Sequence, residues 1–183
     1  DLTYDKKHIP IAKISKNAAN ITVTLNSCGK SFNLPGITLS YVICQNQRLR
    51  ERLQSVLKTR ILNETNIFVN EIYPNAYTKK GQKWLKKLVD YLQYNRDLSI
   101  RYFKKNNPKI NVIKSESTYL MLLDFSNIDL THKQIKHKLL YEAKVALNDG
   151  ISFGKNGHKH FRINIALPKK QLKIALEKIT NAF

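Results

Sequence analysis

One lysine, Lys30, lies in a short polar turn between two apolar stretches, and these surroundings could make it a nucleophile. The turn spans residues 26–36 and is rich in small side chains, while Ile21–Leu25 and Tyr41–Cys44 predict buried strands on either side of it. An amine that is shielded from water where a strand ends can become a usable nucleophile. On spacing alone, a lysine in a chain with 32 Lys plus Arg is more simply explained as a solvated surface charge.

A second candidate is Arg162, which lies in the strand predicted at Phe161–Leu167. An arginine that points inward from a strand is costly unless an anion meets it, and the guanidinium fork matches a carboxylate. The alternative is an arginine on an edge strand that pairs with solvent or with an acidic neighbour. From the residues alone, both interpretations stay open.

Other small or polar residues carry weaker signals. Ser27 could cap its turn or contact a ligand. The three glycines of residues 150–157 are not followed by Lys-Ser or Lys-Thr, so they predict a closing loop or an ordinary turn and not a P-loop. His158 and His160 lack a third ligand at a suitable spacing, so no metal site is predicted.

Composition is that of a globular protein, with 183 residues, 42% of them hydrophobic and 25% charged. No apolar run approaches the roughly 20 residues that span a bilayer, and we expect no charged and apolar leader segment in the protein. Cys28 and Cys44 have no metal or framework spacing and are predicted to be free thiols in a reducing compartment. These features favour a cytoplasmic protein without a membrane partner.

The net charge of +19 is high enough to raise the question of a nucleic-acid partner. The lysines are spread through the chain in pairs, however, and no zinc-finger, RNP-type or basic-zipper pattern accompanies them. We therefore expect a lysine-rich solvated surface that binds polyanions weakly and in a salt-dependent way, with no specific nucleic acid as partner.

Hydrophobic periodicity predicts an alternation of helices and strands, which is an α/β domain with a small sheet covered by helices. Within residues 63–77, Pro74 is expected to interrupt a helical face. Thr131 is predicted to be the N-cap of a helix through a capping box with Gln134. Further predicted helices lie within residues 1–20, at 48–60, at 79–105 and after Pro168, and a further strand lies at 118–125. The positions predicted to be buried on the last two helices are Ile135, Leu139, Ala143 and Ala146, and then Leu172, Leu176, Ile179 and Phe183.

Several motifs, taken in order, resemble those of one enzyme family. They are Asp1-Leu2-x-Tyr4, His8-Ile9-Pro10, Ser27-x-x-Lys30-Ser31-Phe32-Asn33-Leu34-x-Gly36, Thr118-Tyr119-Leu120-x-Leu122-x-Asp124, Val145-Ala146-Leu147-Asn148-Asp149-Gly150-x-x-Phe153-Gly154, and Phe161-Arg162-Ile163-Asn164-Ile165-Ala166-x-Pro168. The chain thereby resembles the fold-type I pyridoxal-phosphate enzymes of the aminotransferase class I/II family. Within that family it is most similar to the cystathionine beta-lyase-like carbon-sulfur lyases.

The resemblance covers essentially the whole chain and implies the C-terminal half of such an enzyme. It implies an α/β fold in which residues 1–78 are the C-terminal part of the large PLP-binding domain. Residues 79–183 would then be the interdomain helix and the small C-terminal domain of the aspartate-aminotransferase-like fold. The implied partners are the missing N-terminal half and a second subunit, which makes a homodimer.

The resemblance also implies a chemistry, with pyridoxal 5'-phosphate as cofactor and an amino acid as substrate. Lys30 would carry the cofactor and remove the α-proton, Ser27 would contact the phosphate, and Arg162 would hold the α-carboxylate. With a sulfur leaving group at the β-carbon, the products are a thiol, pyruvate and ammonia, whereas without one the outcome is transamination.

Two departures from the family pattern concern the phosphate. Cys28-Gly29 is not the usual pair before the lysine, and Thr38 stands where the broader aminotransferase group has a phosphate-binding arginine. A second hypothesis, of a different class, is that the chain is a noncatalytic basic fragment that binds an anionic partner. Lys30 and Arg162 discriminate the two hypotheses, since only the enzyme needs both.

Overall fold

The chain forms two compact units. The computed structural model describes residues 1–37, 40–61 and 66–183. The first unit comprises Asp1 with Lys6–Lys87, and the second comprises Leu2–Asp5 with Leu88–Phe183. The division therefore falls within a single long helix. The assignment of residues 1–78 and 79–183 to a large and a small domain stays a prediction.

The first unit is mainly helical and contains one short β-ribbon. Its elements are a 3-10 turn (Ile11–Lys13), α1 (Lys16–Ile21), β1 (Thr24–Asn26), β2 (Tyr41–Ile43), α2 (Gln47–Thr59), α3 (Ile67–Ala76) and the first part of α4 (Lys79–Asn106). The two strands pair antiparallel, with Leu25 opposite Val42. The helices predicted at 48–60 and 79–105 are thus confirmed, as is a short helix within residues 1–20.

Helix α3 corrects the expectation for Pro74, which lies inside the helix instead of interrupting it. Proline has no N–H and removes one helical hydrogen bond, but it does so here in the last turn, and the helix ends two residues later at Ala76. Residues 63–65 of the predicted segment, and the position of Thr38, lie outside the described residues.

The prediction of buried strands beside the Lys30 turn is wrong for this structure. The side chain of Leu25 in β1 is 73% exposed and that of Ile43 in β2 is 51% exposed. Ile21, predicted to begin the first strand, is the last residue of α1. Apolar runs predict burial only where neighbouring strands or helices cover them, and a two-stranded ribbon provides little such cover.

The second unit is a four-stranded antiparallel sheet with helices. After the second part of α4 come β3 (Asn111–Ile113), β4 (Leu120–Asp124), α5 (His132–His137), a π-helical turn (Lys138–Glu142), β5 (Asn148–Asp149), 3-10 turns at Gly150–Phe153 and Lys155–Gly157, β6 (His160–Asn164) and α6 (Lys169–Ala182). The strand order is β3-β4-β6-β5. The strands predicted at 118–125 and 161–167 correspond to β4 and β6.

One face of this sheet forms the hydrophobic core. Phe161 and Ile163 of β6 are buried there, and alternation along the strand leaves Arg162 on the opposite face. The core positions predicted on the final helix are confirmed for Leu172, Leu176 and Ile179. Ala146 is exposed, against prediction, because the chain leaves the helical path after the turn that ends at Glu142.

The N-terminus of α5 shows the predicted capping box. The N–H of Gln134 donates to Thr131 Oγ1 at 3.3 Å, and the N–H of Thr131 donates to Gln134 Oε1 at 2.8 Å. Two donors that the helix cannot satisfy internally are thereby paired.

A buried arginine ties the segment Leu2–Asp5 to α4. The side chain of Arg96 is 1% exposed, and its Nε and Nη1 donate to Asp97 Oδ1 at 2.8 Å and Asp5 Oδ2 at 3.1 Å. The guanidinium carbon lies 4.6 Å from the centre of the Tyr4 ring. Two carboxylates and an aromatic face therefore compensate this buried charge.

Cys28 and Cys44 are both unpaired and buried, which confirms the prediction of free thiols. Burial raises the pKa of the Cys28 thiol. Within the described ranges, none of the helices has both the length and the apolar content needed to cross a bilayer.

Candidate functional site

The turn that carries Lys30 follows β1 directly, and small residues set its shape. Ser27 Oγ accepts from the N–H of Gly29 at 3.1 Å, and the carbonyl of Gly29 accepts from the N–H of Leu34 at 2.7 Å. A Cβ atom on Gly29 would lie 3.3 Å from Ser27 Oγ and 3.4 Å from the Leu34 carbonyl oxygen. The backbone therefore closes tightly here.

The side chain of Lys30 is exposed at this turn. The shielding from water that the sequence predicts is therefore not supplied by the described part of the chain. The amine is accessible to a ligand that approaches the turn.

The residues that follow Lys30 are anchored by side-chain contacts. Ser31 is 6% exposed, and its hydroxyl donates to Asp1 Oδ2 at 2.7 Å. The Phe32 ring stacks on Trp84, with ring centres 5.6 Å apart and an interplanar angle of 19°. The backbone next to Lys30 is thus held by the contacts of Ser31 and Phe32, while the Lys30 side chain remains accessible to a ligand.

The donors of this turn fit a phosphorylated aldehyde cofactor. Lys30 offers an accessible primary amine, which can bond to an aldehyde carbon. The Ser27 oxygen accepts from Gly29, and in the described part of the chain its O–H donates to no acceptor. A hydroxyl donor and an amine three residues apart on one turn suit a phosphate and an aldehyde on one small molecule.

Arg162 lies in the second unit, on the sheet face opposite the core. It is half-buried and faces Leu122 of β4 and Asn148 of β5 across the sheet. Its Nη2 donates to Asn148 Oδ1 at 3.1 Å, and its guanidinium carbon lies 4.6 Å from the centre of the Phe153 ring. Nε is buried and has no hydrogen-bond partner among the described residues.

No ion pair found among the described residues includes Arg162, in contrast to Arg96 with its two carboxylates. A half-buried guanidinium that lacks a carboxylate retains most of its capacity to bind an anion. The structure therefore places on this face a cationic group whose contacts are an amide and an aromatic ring.

The segment beside Arg162 is held by a network around Asp149. The Nδ1 atom of His132 accepts a hydrogen bond from the N–H of Lys159 at 2.9 Å. In the neutral ring the proton is therefore on Nε2, which donates to Asp149 Oδ1 at 3.0 Å. Lys136 Nζ donates to Oδ2 and the N–H of Ile151 to Oδ1, both at 3.0 Å. Asp149 thus connects α5 to the turn that carries Phe153.

This network predicts a pH-dependent contribution to stability. Partial burial acts to raise the pKa of Asp149, but the hydrogen bonds from Lys136 and Ile151 outweigh it and the pKa is lowered overall. The contribution of the Asp149 charge to the free energy of unfolding is therefore fully present above the unfolded pKa of about 3.9. It is lost as the pH falls through the lower pKa of the folded state.

Asp149→Asn keeps an oxygen that can accept from Ile151 but loses the charge. We expect this variant to have a lower urea midpoint of unfolding at pH 7, and the difference from the unsubstituted chain to close below about pH 4.

The control for this prediction is Asp129→Asn, which removes an exposed carboxylate of the same unit and should give a small, nearly constant difference. A deficit of Asp149→Asn that stayed equally large down to pH 3 would contradict the assignment of its cause to the charge.

The structure brings Lys30 and Ser27 together on one turn of the first unit, and it places Arg162 on the sheet of the second unit. The contacts of Ser31, Asn148 and Phe153 were not predicted from the sequence, although all three residues belong to the family motifs. Their side-chain partners depend on tertiary contacts, and only the motif itself could have drawn attention to these positions.

Comparison with known proteins finds similarity over almost the whole chain. The family model for aminotransferase class I and II matches residues 1–179. Cystathionine beta-lyase PatB of Bacillus subtilis (strain 168) is 29% identical over 181 residues, which cover 99% of this chain and 46% of PatB. The chain therefore spans less than half the length of this relative.

Two solved structures are similar over almost the whole chain. The PLP-bound putative aminotransferase from Clostridium difficile 630 has a TM-score of 0.92 and 36% identity, over 99% of this chain and 46% of that one. Cystalysin from Treponema denticola, whose structure contains a pyridoxal 5'-phosphate cofactor, has a TM-score of 0.88 and 26% identity, with the same coverage of 99% and 46%.

Proposed function

The chain belongs to the aminotransferase class I and II family, and on this premise we propose that it is the C-terminal half of a PLP-dependent carbon-sulfur β-lyase. The substrate class is sulfur amino acids, and the products are a thiol, pyruvate and ammonia. The likeness to cystathionine beta-lyase PatB supports this activity, and the coverage of 46% of PatB supports a working partnership with an N-terminal half of the same protein.

The observation that carries the proposal is the state of the two cationic side chains. Lys30 is accessible beside the Ser27 hydroxyl, whose O–H has no acceptor among the described residues. Arg162 is half-buried and has no carboxylate partner among the same residues. When bound, the cofactor supplies an electron sink for the electrons released at the α-carbon.

The side chains of this chain would act around that chemistry. Lys30 Nζ would hold the cofactor and then accept the α-proton of the substrate. The Ser27 O–H would donate to the phosphate. Arg162 would donate two parallel hydrogen bonds to the α-carboxylate and so orient the bond that breaks.

An aminotransferase is the second candidate function, and the likeness to the putative aminotransferase at 36% identity favours it. The test is product analysis with cystathionine, and with a 2-oxo acid present as amino acceptor, in the protein that carries both halves. Thiol and pyruvate formed in equal amounts support the lyase. A keto acid that retains the sulfur supports the aminotransferase, and the absence of both products under cofactor saturation would contradict both.

A cytoplasmic homodimer is part of the proposal. The unpaired thiols of Cys28 and Cys44 support a reducing compartment, and the dimer rests on the family resemblance. Light scattering of the protein that carries both halves should give twice the mass of one chain.

The competing proposal of a noncatalytic basic fragment rests on the net charge of +19. It requires tight, strongly salt-dependent polyanion binding that survives the loss of Lys30 and Arg162.

A further inference from the structure

We propose that Asn148 and Phe153 are positioning residues that hold the Arg162 guanidinium with neutral groups and thereby keep its charge open to a carboxylate. The inference rests on the proposed function, in which Arg162 binds the α-carboxylate of the substrate. It adds the contacts that fix this side chain and the reason for their chemical type.

Asn148 fixes one nitrogen of the guanidinium without neutralising it. Strand β5 is one of the two edge strands of the sheet, and its register places Asn148 opposite Arg162, so that Nη2 donates to Oδ1 at 3.1 Å. An amide oxygen accepts this hydrogen bond and carries no charge. A carboxylate at position 148 could accept from two guanidinium nitrogens and would compete with a ligand carboxylate for the same donors.

Phe153 covers one face of the guanidinium. The distance of 4.6 Å from the guanidinium carbon to the ring centre is that of a cation–π contact. This contact uses the flat face and leaves the N–H groups at the edge for hydrogen bonds. The two neutral groups therefore restrict the orientation of Arg162 from different directions.

The segment that supplies both residues is itself held by hydrogen bonds and close backbone packing. Asp149 lies between them and accepts from His132, Lys136 and the N–H of Ile151. The turn closes so tightly that a Cβ atom on Gly157 would lie 1.9 Å from the carbonyl oxygen of Gly150. A rigid support is what a positioning role requires, because the bound carboxylate must meet a preformed fork.

Arg96 shows how this chain compensates an arginine used for structure. That side chain is 1% exposed and pairs with Asp5 and Asp97. Arg162 is compensated by an amide and a ring, and its buried Nε has no partner among the described residues. Arg96 thus has protein carboxylates as partners, whereas Arg162 has only neutral ones among the described residues. This difference is explained if a ligand supplies the anion that pairs with Arg162.

The test is a propionate titration of the 183-residue chain, followed through the NMR signal of the Arg162 Nε–H group. Propionate offers a carboxylate without an amine, so its binding needs neither the cofactor nor turnover. The key variant is Asn148→Asp, and the matched control is Asn164→Asp, which adds the same charge on the same face of β6. Urea unfolding of each variant reports whether the fold is intact.

We expect Asn148→Asp to weaken propionate binding by at least about 10-fold, while its urea midpoint is unchanged or higher because a new ion pair forms. Asn148→Ala and Phe153→Leu should each weaken binding by about 2- to 10-fold. Asn164→Asp should weaken it by less than about 2-fold, because this side chain is exposed, its charge is screened and its oxygen accepts from the N–H of Ala166. A purely structural role for Asn148 would leave propionate binding to Asn148→Asp equal to that of Asn164→Asp, which would overturn the inference.

Arg162→Ala distinguishes the carboxylate role of Arg162 from the positioning roles of Asn148 and Phe153. If this variant binds propionate as well as the unsubstituted chain does, the carboxylate role of Arg162 in the proposed function fails. If Arg162→Ala loses binding while both Asn148 variants and Phe153→Leu retain it, the proposed function stands and the positioning role is wrong.

Discussion

In the protein that carries both halves, replacing Lys30 with alanine is expected to lower kcat for the proposed β-elimination by at least about 10³-fold, since this side chain would both hold the cofactor and transfer the α-proton. The structure indicates that this substitution should change kcat strongly and stability little. Lys30 is exposed, and the turn around it is shaped by Gly29 and anchored by Ser31. We therefore expect the urea midpoint of the variant to be close to that of the unsubstituted protein.

Two further variants isolate the role of the amine. Lys30→Arg keeps the positive charge but replaces the nucleophilic amine, so it should be as inactive as Lys30→Ala. Lys58→Ala removes another exposed lysine of the first unit and should leave kcat unchanged. A Lys30→Ala protein that kept more than a tenth of the parent kcat would contradict the assignment.

Replacing Arg162 with alanine is expected to lower kcat/KM by about 30- to 1000-fold, largely through a higher KM, because a desolvated guanidinium–carboxylate pair is lost. Arg162→Lys keeps the charge without the planar fork and should lie between the parent and the alanine variant. The measurement is steady-state kinetics in the protein that carries both halves.

Arg96→Ala is the matched control for this prediction. It removes the arginine that Asp5 and Asp97 compensate in the second unit, so it should lower the urea midpoint. Its KM should change far less than that of Arg162→Ala. If Arg162→Ala lowers the urea midpoint as much as Arg96→Ala does and leaves KM unchanged, Arg162 is a structural residue.

The sequence predicted those features that local rules determine. The capping box at Thr131 and Gln134, the helix α4 and the buried face of α6 all follow from spacing within one element. The exposure of Leu25 and Ile43 could not be predicted in the same way, because it depends on which other elements cover the two-stranded ribbon. The same limit explains Ala146, whose exposure follows from a change in chain direction.

The candidate site shows a similar division. The motifs identified Lys30, Ser27 and Arg162, and the family membership that they predicted is confirmed. The contact of Ser31 with Asp1 and that of Asn148 with Arg162 were not predicted, since they depend on tertiary packing and strand register. Hydrophobic periodicity determines which face a strand buries, but it does not identify the residue opposite on the neighbouring strand.

The most direct test of the central claim is to locate pyridoxal phosphate on the protein. The cofactor is added to the chain together with its N-terminal half. Borohydride then reduces the bond between the cofactor and a lysine amine, and mass spectrometry identifies the lysine that carries the attached cofactor as a label. We predict a saturable visible absorption band and a label confined to Lys30, both lost in Lys30→Arg. A label spread over many lysines, or one equally strong in Lys30→Arg, would contradict the assignment of Lys30 as the cofactor lysine.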